Sequence, residues 1–148
     1  MKHYITILKP RLSLLVLVTT YLGFYLGIRS QSHYVFTDIE LARLFYLLLG
    51  TFLTSSGSIV LNQVIERKHD AKMNRTKNRP IPTGKIKWGT ATIYGFGLII
   101  FGIIVLYSKT NSLTTLLSFF TSLLYLCIYT PMKRFSTLNT LIGSIPGA

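Results

Sequence analysis

Four stretches of the sequence, residues 12–28, 41–65, 88–107 and 113–129, are apolar nearly throughout, and Arg43 is the single charged side chain inside them. Each has about the length a helix needs to cross the ~30 Å hydrocarbon core of a bilayer. The apolar residues run in blocks, without the alternation of half-buried strands. Inside a bilayer every backbone polar group must find its partner within the protein, and a helix does this span by span. The fold class is therefore all-α, a polytopic bundle of membrane helices. A further apolar stretch, 138–148, contains Gly143, Pro146 and Gly147 and is too short to cross. The pattern is four complete spans and the start of a fifth. It reads as the N-terminal part of a longer protein.

Composition agrees. Of 148 residues, 49% are hydrophobic and 14% charged, against about 25% charged in an ordinary soluble domain. The formal net charge is +12, from 16 Lys and Arg against 4 Asp and Glu. Such a balance first suggests nucleic acid. Here the cations lie between the apolar blocks, and membrane topology explains them better than a nucleic-acid partner does. Lys2, Lys9 and Arg11 precede the first block. Arg67, Lys68, Lys72, Arg75, Lys77, Arg79, Lys85 and Lys87 follow the second, and Lys133 and Arg134 follow the fourth. The intervening side holds only Arg29, Arg43 and Lys109, with Asp38 and Glu40. The positive-inside rule then puts the N-terminus and the 66–87 loop in the cytoplasm. No small-residue cleavage site follows the first block, so it reads as a retained span. Trp88 and Tyr107 suit the two interfaces of the third span. Cys127, the only cysteine, can form no internal disulfide and is expected to pack as a small hydrophobe. The small residues Thr54, Ser55, Ser56, Gly57 and Ser58 predict close helix approach in the second span.

Two of the acidic residues, Glu66 and Asp70, sit where the second block ends, directly before the basic run. With Asn62 they fall at i, i+4 and i+8, one slowly drifting face of a helix. Three oxygen-bearing side chains on one face suit a hard cation such as Mg²⁺. Arg75, Lys77 and Arg79 follow within reach of any phosphate that the cation carries. The bland alternatives are carboxylates balancing neighbouring cations and a loop attracted to anionic lipid. Against the first, Asn62 still belongs to the apolar span, where an amide requires a partner.

The run Asn62-x-x-x-Glu66-x-x-x-Asp70, continued by Ala71-Lys72-Met73-Asn74-Arg75-Thr76-Lys77-Asn78-Arg79-Pro80, resembles the first aspartate-rich motif of the UbiA superfamily of intramembrane prenyltransferases. Within it, the wording is most similar to the protohaem IX farnesyltransferases. Lys9-Pro10-Arg11 opens the first span as in that family. Tyr129-Thr130-x-x-Lys133-Arg134, with Asn139 and Gly143 beyond, resembles its segment between the fourth and fifth helices. The likeness covers essentially the whole chain. It departs at Gln63, where the superfamily usually has Asp, and at Glu66, a Glu where many relatives have Asp. The family's second metal-binding motif, on a later loop, is not found in residues 1–148.

The resemblance implies a fold and a chemistry. Asn62, Glu66 and Asp70 would bind Mg²⁺, directly or through water. Arg75 and Arg79 would hold the diphosphate, and Lys133, with Tyr129 nearby, would meet it from the segment after the fourth span. The substrates would be farnesyl diphosphate and protohaem IX, both arriving from the lipid bilayer of the cytoplasmic (inner) membrane. The product would be haem O, and haem A synthase or oxidase assembly proteins would be candidate partners. The chain would form part of one membrane domain extending beyond residue 148. No haem contact is assigned: Lys9 and Arg11 read as anchoring cations, and His69 as a solvated side chain. Another aromatic or tetrapyrrole prenyltransferase of the same superfamily, and a non-catalytic basic membrane protein, remain the alternatives. Shuffling residues 66–79 at constant charge separates the last of these, since lipid attraction survives it and a metal site does not.

Overall fold

The structure, a computed structural model, describes residues 2–30 and 37–132. Helix α1 spans Lys2–Leu8, α2 Pro10–Arg29, α3 Asp38–Asp70, α4 Trp88–Lys109 and α5 Ser112–Leu124. A π-helical turn, Tyr125–Tyr129, continues α5 into the short α6, Thr130–Met132. Pro10–Arg29, Asp38–Asp70, Trp88–Lys109 and Ser112–Tyr129 are each long and apolar enough to cross a membrane. Four such helices were expected, and four are found among the described residues, each covering one of the apolar stretches. The stretch 138–148 lies outside the described residues.

Helix α3 is the hub and packs on α1, α2, α4, α5 and α6. It has 33 residues, about 50 Å at the helical rise. From Arg43 to Glu66 it carries no charge, a rise of about 34 Å. That matches the ~30 Å core of a bilayer. The helix therefore delivers Glu66 and Asp70 to a membrane surface.

Antiparallel α3 and α4 meet along a seam of small residues. A Cβ on Gly57 would lie 2.6 Å from the Gly95 carbonyl oxygen, and one on Gly102 would lie 2.9 Å from that of Gly50. Both pairs repeat every seven residues, the period of a left-handed crossing. Lipid tails are as apolar as leucine, so helices in a bilayer gain by close backbone approach. Thr54 lies on this seam and accepts a hydrogen bond from Ser118 Oγ of α5 at 3.1 Å.

Two features go beyond the sequence expectation, and a third departs from it. The N-terminal segment is itself helical, and α1 breaks at Lys9, which is left-handed with φ 47° and ψ 66°. Pro10 disfavours the right-handed conformation in the residue before it. The break strands carbonyls that find partners elsewhere. Leu8 O accepts from Ser13 Oγ at 3.2 Å, and Ile7 O accepts from Gln63 Nε2 at 2.6 Å. The second is the π-turn, in which the Thr130 N–H reaches back to Tyr125 O. The third is Cys127, which is exposed on the outer surface of the bundle.

The 71–87 loop is folded, not loose. Successive turns link Ala71 to Ile86, closing with the Ile86 N–H on Pro80 O at 3.1 Å. Ile81 and Ile86 are buried with Ile7, Val60, Val64 and Ala91 in one apolar cluster. Each buried isoleucine contributes roughly 1.5–3 kcal/mol where water is the alternative.

Candidate active site

Asn62, Glu66 and Asp70 share one face of α3, as their spacing requires, and all three are buried, at 6%, 8% and 4% exposure. Burying two carboxylates is costly without partners, and the fold supplies them. Asn62 Nδ2 donates to Glu66 Oε2 at 3.4 Å, a long bond. Thr130 Oγ1 lies 2.9 Å from Asn62 Oδ1, a donor sixty-eight residues away in sequence. Arg79 Nη1 donates to Asp70 Oδ2 at 2.6 Å, and Thr76 Oγ1 donates to the Asp70 carbonyl at 2.9 Å. Asp70 is thus clasped twice by the loop that follows it.

The loop's fold decides which cations belong to this group. Pro80 and Thr76 are buried and Arg79 is half-buried, whereas Arg75 and Lys77 are exposed. Lys77 Nζ bonds Asn74 Oδ1 at 3.2 Å. Of the two arginines expected to hold a diphosphate, Arg79 is joined to the Asp70 carboxylate and Arg75 stands at the surface. His69 is exposed, as expected of a solvated histidine.

On the facing side, Tyr129 is half-buried and stacks on Tyr125, with ring centroids 5.4 Å apart and planes at 17°. The Tyr125 carbonyl lies 2.8 Å from Thr130 Oγ1, the partner of Asn62, so the aromatic pair borders the polar group. Single π-turns inside helices occur often at functional sites. Here the turn brings Thr130, fully buried, against α3. Lys133, the other residue expected from this segment, lies outside the described residues.

Among the described residues, no three His, Cys, Asp or Glu side chains cluster as a closed metal cage. Two buried carboxylates and an amide on one helical face nevertheless fit Mg²⁺. That ion takes one or two carboxylates and completes its shell with water and substrate phosphates. The donor set is hard oxygen throughout, which matches such a cation. The neighbouring guanidinium suits the phosphates that the same ion would bring.

Tyr125 was not singled out by sequence reasoning, and Thr130, Thr76 and Gln63 were named within motifs but given no role. The one available signal was Asn62 itself, since an amide in an apolar span demands a polar partner from another helix. Nothing in the spacing says which residue supplies it.

The longest helix of the bundle thus ends in buried side-chain oxygens beside a half-buried arginine. Residues 16–148 match the model of the UbiA prenyltransferase family, and the chain belongs to that family. It is an integral membrane protein. It is 40% identical to the protoheme IX farnesyltransferase of Solibacter usitatus (strain Ellin6076), over 100% of this chain and 51% of the relative. To that of Koribacter versatilis (strain Ellin345) it is 35% identical, over 100% of this chain and 46% of the relative. To that of Aquifex aeolicus (strain VF5) it is 37% identical, over 99% and 48%. The chain spans about half the length of these curated relatives. No solved structure matches it.

Proposed function

We propose that this chain supplies the diphosphate-binding half of an enzyme that transfers a farnesyl group from farnesyl diphosphate to a vinyl group of protohaem IX, giving haem O. The observation that carries the reading is the buried group of Asn62, Glu66 and Asp70 with the half-buried Arg79, set at the end of a membrane span beside Tyr125 and Tyr129. The names of the relatives supply the substrates. Residues 1–148 would be the N-terminal part of a single membrane domain. The positive-inside rule favours a cytoplasmic N-terminus and 66–87 loop in the inner membrane, where a soluble diphosphate headgroup and Mg²⁺ are both available.

In the reaction the C1–O bond of the farnesyl diphosphate breaks and diphosphate departs with the bonding pair. The farnesyl carbon joins the vinyl group, water adds its hydroxyl to the other vinyl carbon, and a proton is lost. Mg²⁺ would neutralise the departing diphosphate. Glu66 and Asp70 would hold that ion, with Asn62 beside them. Arg79, already in the site, would pass from Asp70 to the diphosphate when the metal arrives, and so meet charge as it develops. Lys133 and Arg75 would add to this clamp from the two neighbouring segments. Tyr125 and Tyr129, with the surrounding span, would keep water from the allylic cation until the vinyl group attacks.

The test is a chimera joining residues 1–148 to the remaining half of the Solibacter usitatus relative. Reconstituted in lipid with farnesyl diphosphate, protohaem IX and Mg²⁺, it is expected to form haem O, read by mass spectrometry, and to stop when the metal is chelated. A chimera that inserts and binds protohaem but makes no haem O, beside an active parent, would defeat the reading. The purified 148-residue chain is expected to be inactive in the same assay.

A further inference from the structure

We propose that Thr130 is a positioning residue of this site: its hydroxyl sets the Asn62 side-chain amide, and through that amide the Glu66 carboxylate. The inference rests on the metal–diphosphate reading above and adds a residue to it. A side-chain amide is nearly symmetric in shape, so only its hydrogen bonds decide which way it faces. In Asn62 the nitrogen faces Glu66 Oε2 at 3.4 Å and the oxygen faces Thr130 Oγ1 at 2.9 Å. The flipped amide would turn its oxygen onto a carboxylate. Thr130 Oγ1 also lies 2.8 Å from Tyr125 O, and a hydroxyl has one proton to give. Tyr125 O already accepts the Thr130 N–H and has room for a second bond, whereas the Thr130 hydroxyl is the donor that faces Asn62 Oδ1. On this proposal the hydroxyl proton goes to Asn62 Oδ1.

Thr130 is at 0% exposure, so water cannot replace its hydroxyl. The bond joins the end of the last described span to the carboxylate face of α3, and one lone pair of Asn62 Oδ1 stays available to a cation. Residues that orient metal ligands in this way typically change metal affinity about 10–100-fold when removed.

The experiment uses the 148-residue chain in lipid nanodiscs, with Mn²⁺ and inorganic pyrophosphate as the probe, in wild type, Thr130→Val and Thr130→Ser. Valine keeps the shape and removes the hydroxyl, while serine keeps the hydroxyl. Binding is read by electron paramagnetic resonance. In parallel, the Asn62 side-chain amide resonance, assigned by its loss in Asn62→Asp, is followed for hydrogen exchange. The expected result is Mn²⁺–pyrophosphate affinity lowered about tenfold or more in Thr130→Val and restored in Thr130→Ser. The amide should exchange slowly in wild type and Thr130→Ser and fast in Thr130→Val. Equal binding in wild type and Thr130→Val overturns the proposal, as does equal loss in valine and serine variants, which would assign Thr130 to packing. If wild type binds no Mn²⁺–pyrophosphate, the functional reading fails for this chain. The amide then decides the positioning role, and unchanged exchange in Thr130→Val overturns it.

Discussion

Helix α3 is held in two different ways along its length. Between Gly50 and Gly57 it meets α4 closely, a Cβ at Gly50 running into the Leu106 side chain and one at Gly57 into the Gly95 carbonyl. From Asn62 to Asp70 it is held by polar bonds to Thr130, Thr76 and Arg79, with an apolar cluster beneath the loop. The solvent explains the contrast. In the bilayer core, burying leucine against leucine gains little over leucine against lipid, so shape and close contact decide. At the membrane surface water is the alternative, and there the burial of Ile81 and Ile86 stabilises the loop that carries Arg79. The seam builds the scaffold and tolerates little change in volume. The polar end, where the chemistry is proposed, is set by hydrogen bonds and tolerates little change in hydrogen-bonding capacity.

Substitutions can break each half of this contrast separately. The largest effect is expected from Asp70→Ala in the chimera. It removes both a carboxylate proposed to hold the metal and the partner of Arg79, and should lower haem O formation by about 10²–10³-fold or more. Protohaem binding, read by its absorbance, should persist, and normal turnover would take Asp70 out of the site. Arg79→Ala should lower turnover by roughly 10²-fold, on the scale of losing one donor to developing charge. Arg75→Ala, at the exposed position, should cost clearly less. Equal losses would mean that the loop rearranges in the working enzyme.

Ile86→Ala acts on the apolar side of the polar end. It should cost about 2–4 kcal/mol locally, read as faster hydrogen exchange of the loop amides between residues 72 and 87. Unchanged protection would show that turns alone hold the loop. In the seam, Gly57→Ala pushes a methyl group against the Gly95 carbonyl. It should destabilise the α3–α4 pair by about 1–3 kcal/mol, read by thermal denaturation in detergent. Gly89→Ala is the small end of the series. Nothing lies within 4 Å of its Cβ position, so its effect should stay within about 0.5 kcal/mol. A large loss there would place an unseen neighbour against the start of α4.

Much of the site was legible in one dimension because it lies on one helix. Asn62, Glu66 and Asp70 are four apart, and helical geometry alone puts them on a common face. Thr54 and Gly57 announced the seam by their size. Arg79 and Arg75 could not be told apart in sequence, being two cations four residues apart in the same run. The burial of Pro80, Ile81 and Ile86 folds the loop so that one is drawn in and the other left outside. Gln63 stood out only as a departure from a family pattern, and its reason is local: it bonds a carbonyl that the break at Lys9 would otherwise strand.

The sequence by itself determined the four apolar spans among the described residues, the register of Asn62, Glu66 and Asp70 on one face and the charge asymmetry of the loops. Those depend on local periodicity and on transfer between water and lipid, which each segment expresses alone. Only the tertiary structure decided that Thr130 answers Asn62, that Arg79 and not Arg75 answers Asp70, and that Gln63 closes the end of α1. A buried polar atom demands a partner but does not specify one. The choice falls to whichever donor the packing of distant helices brings within about 3 Å.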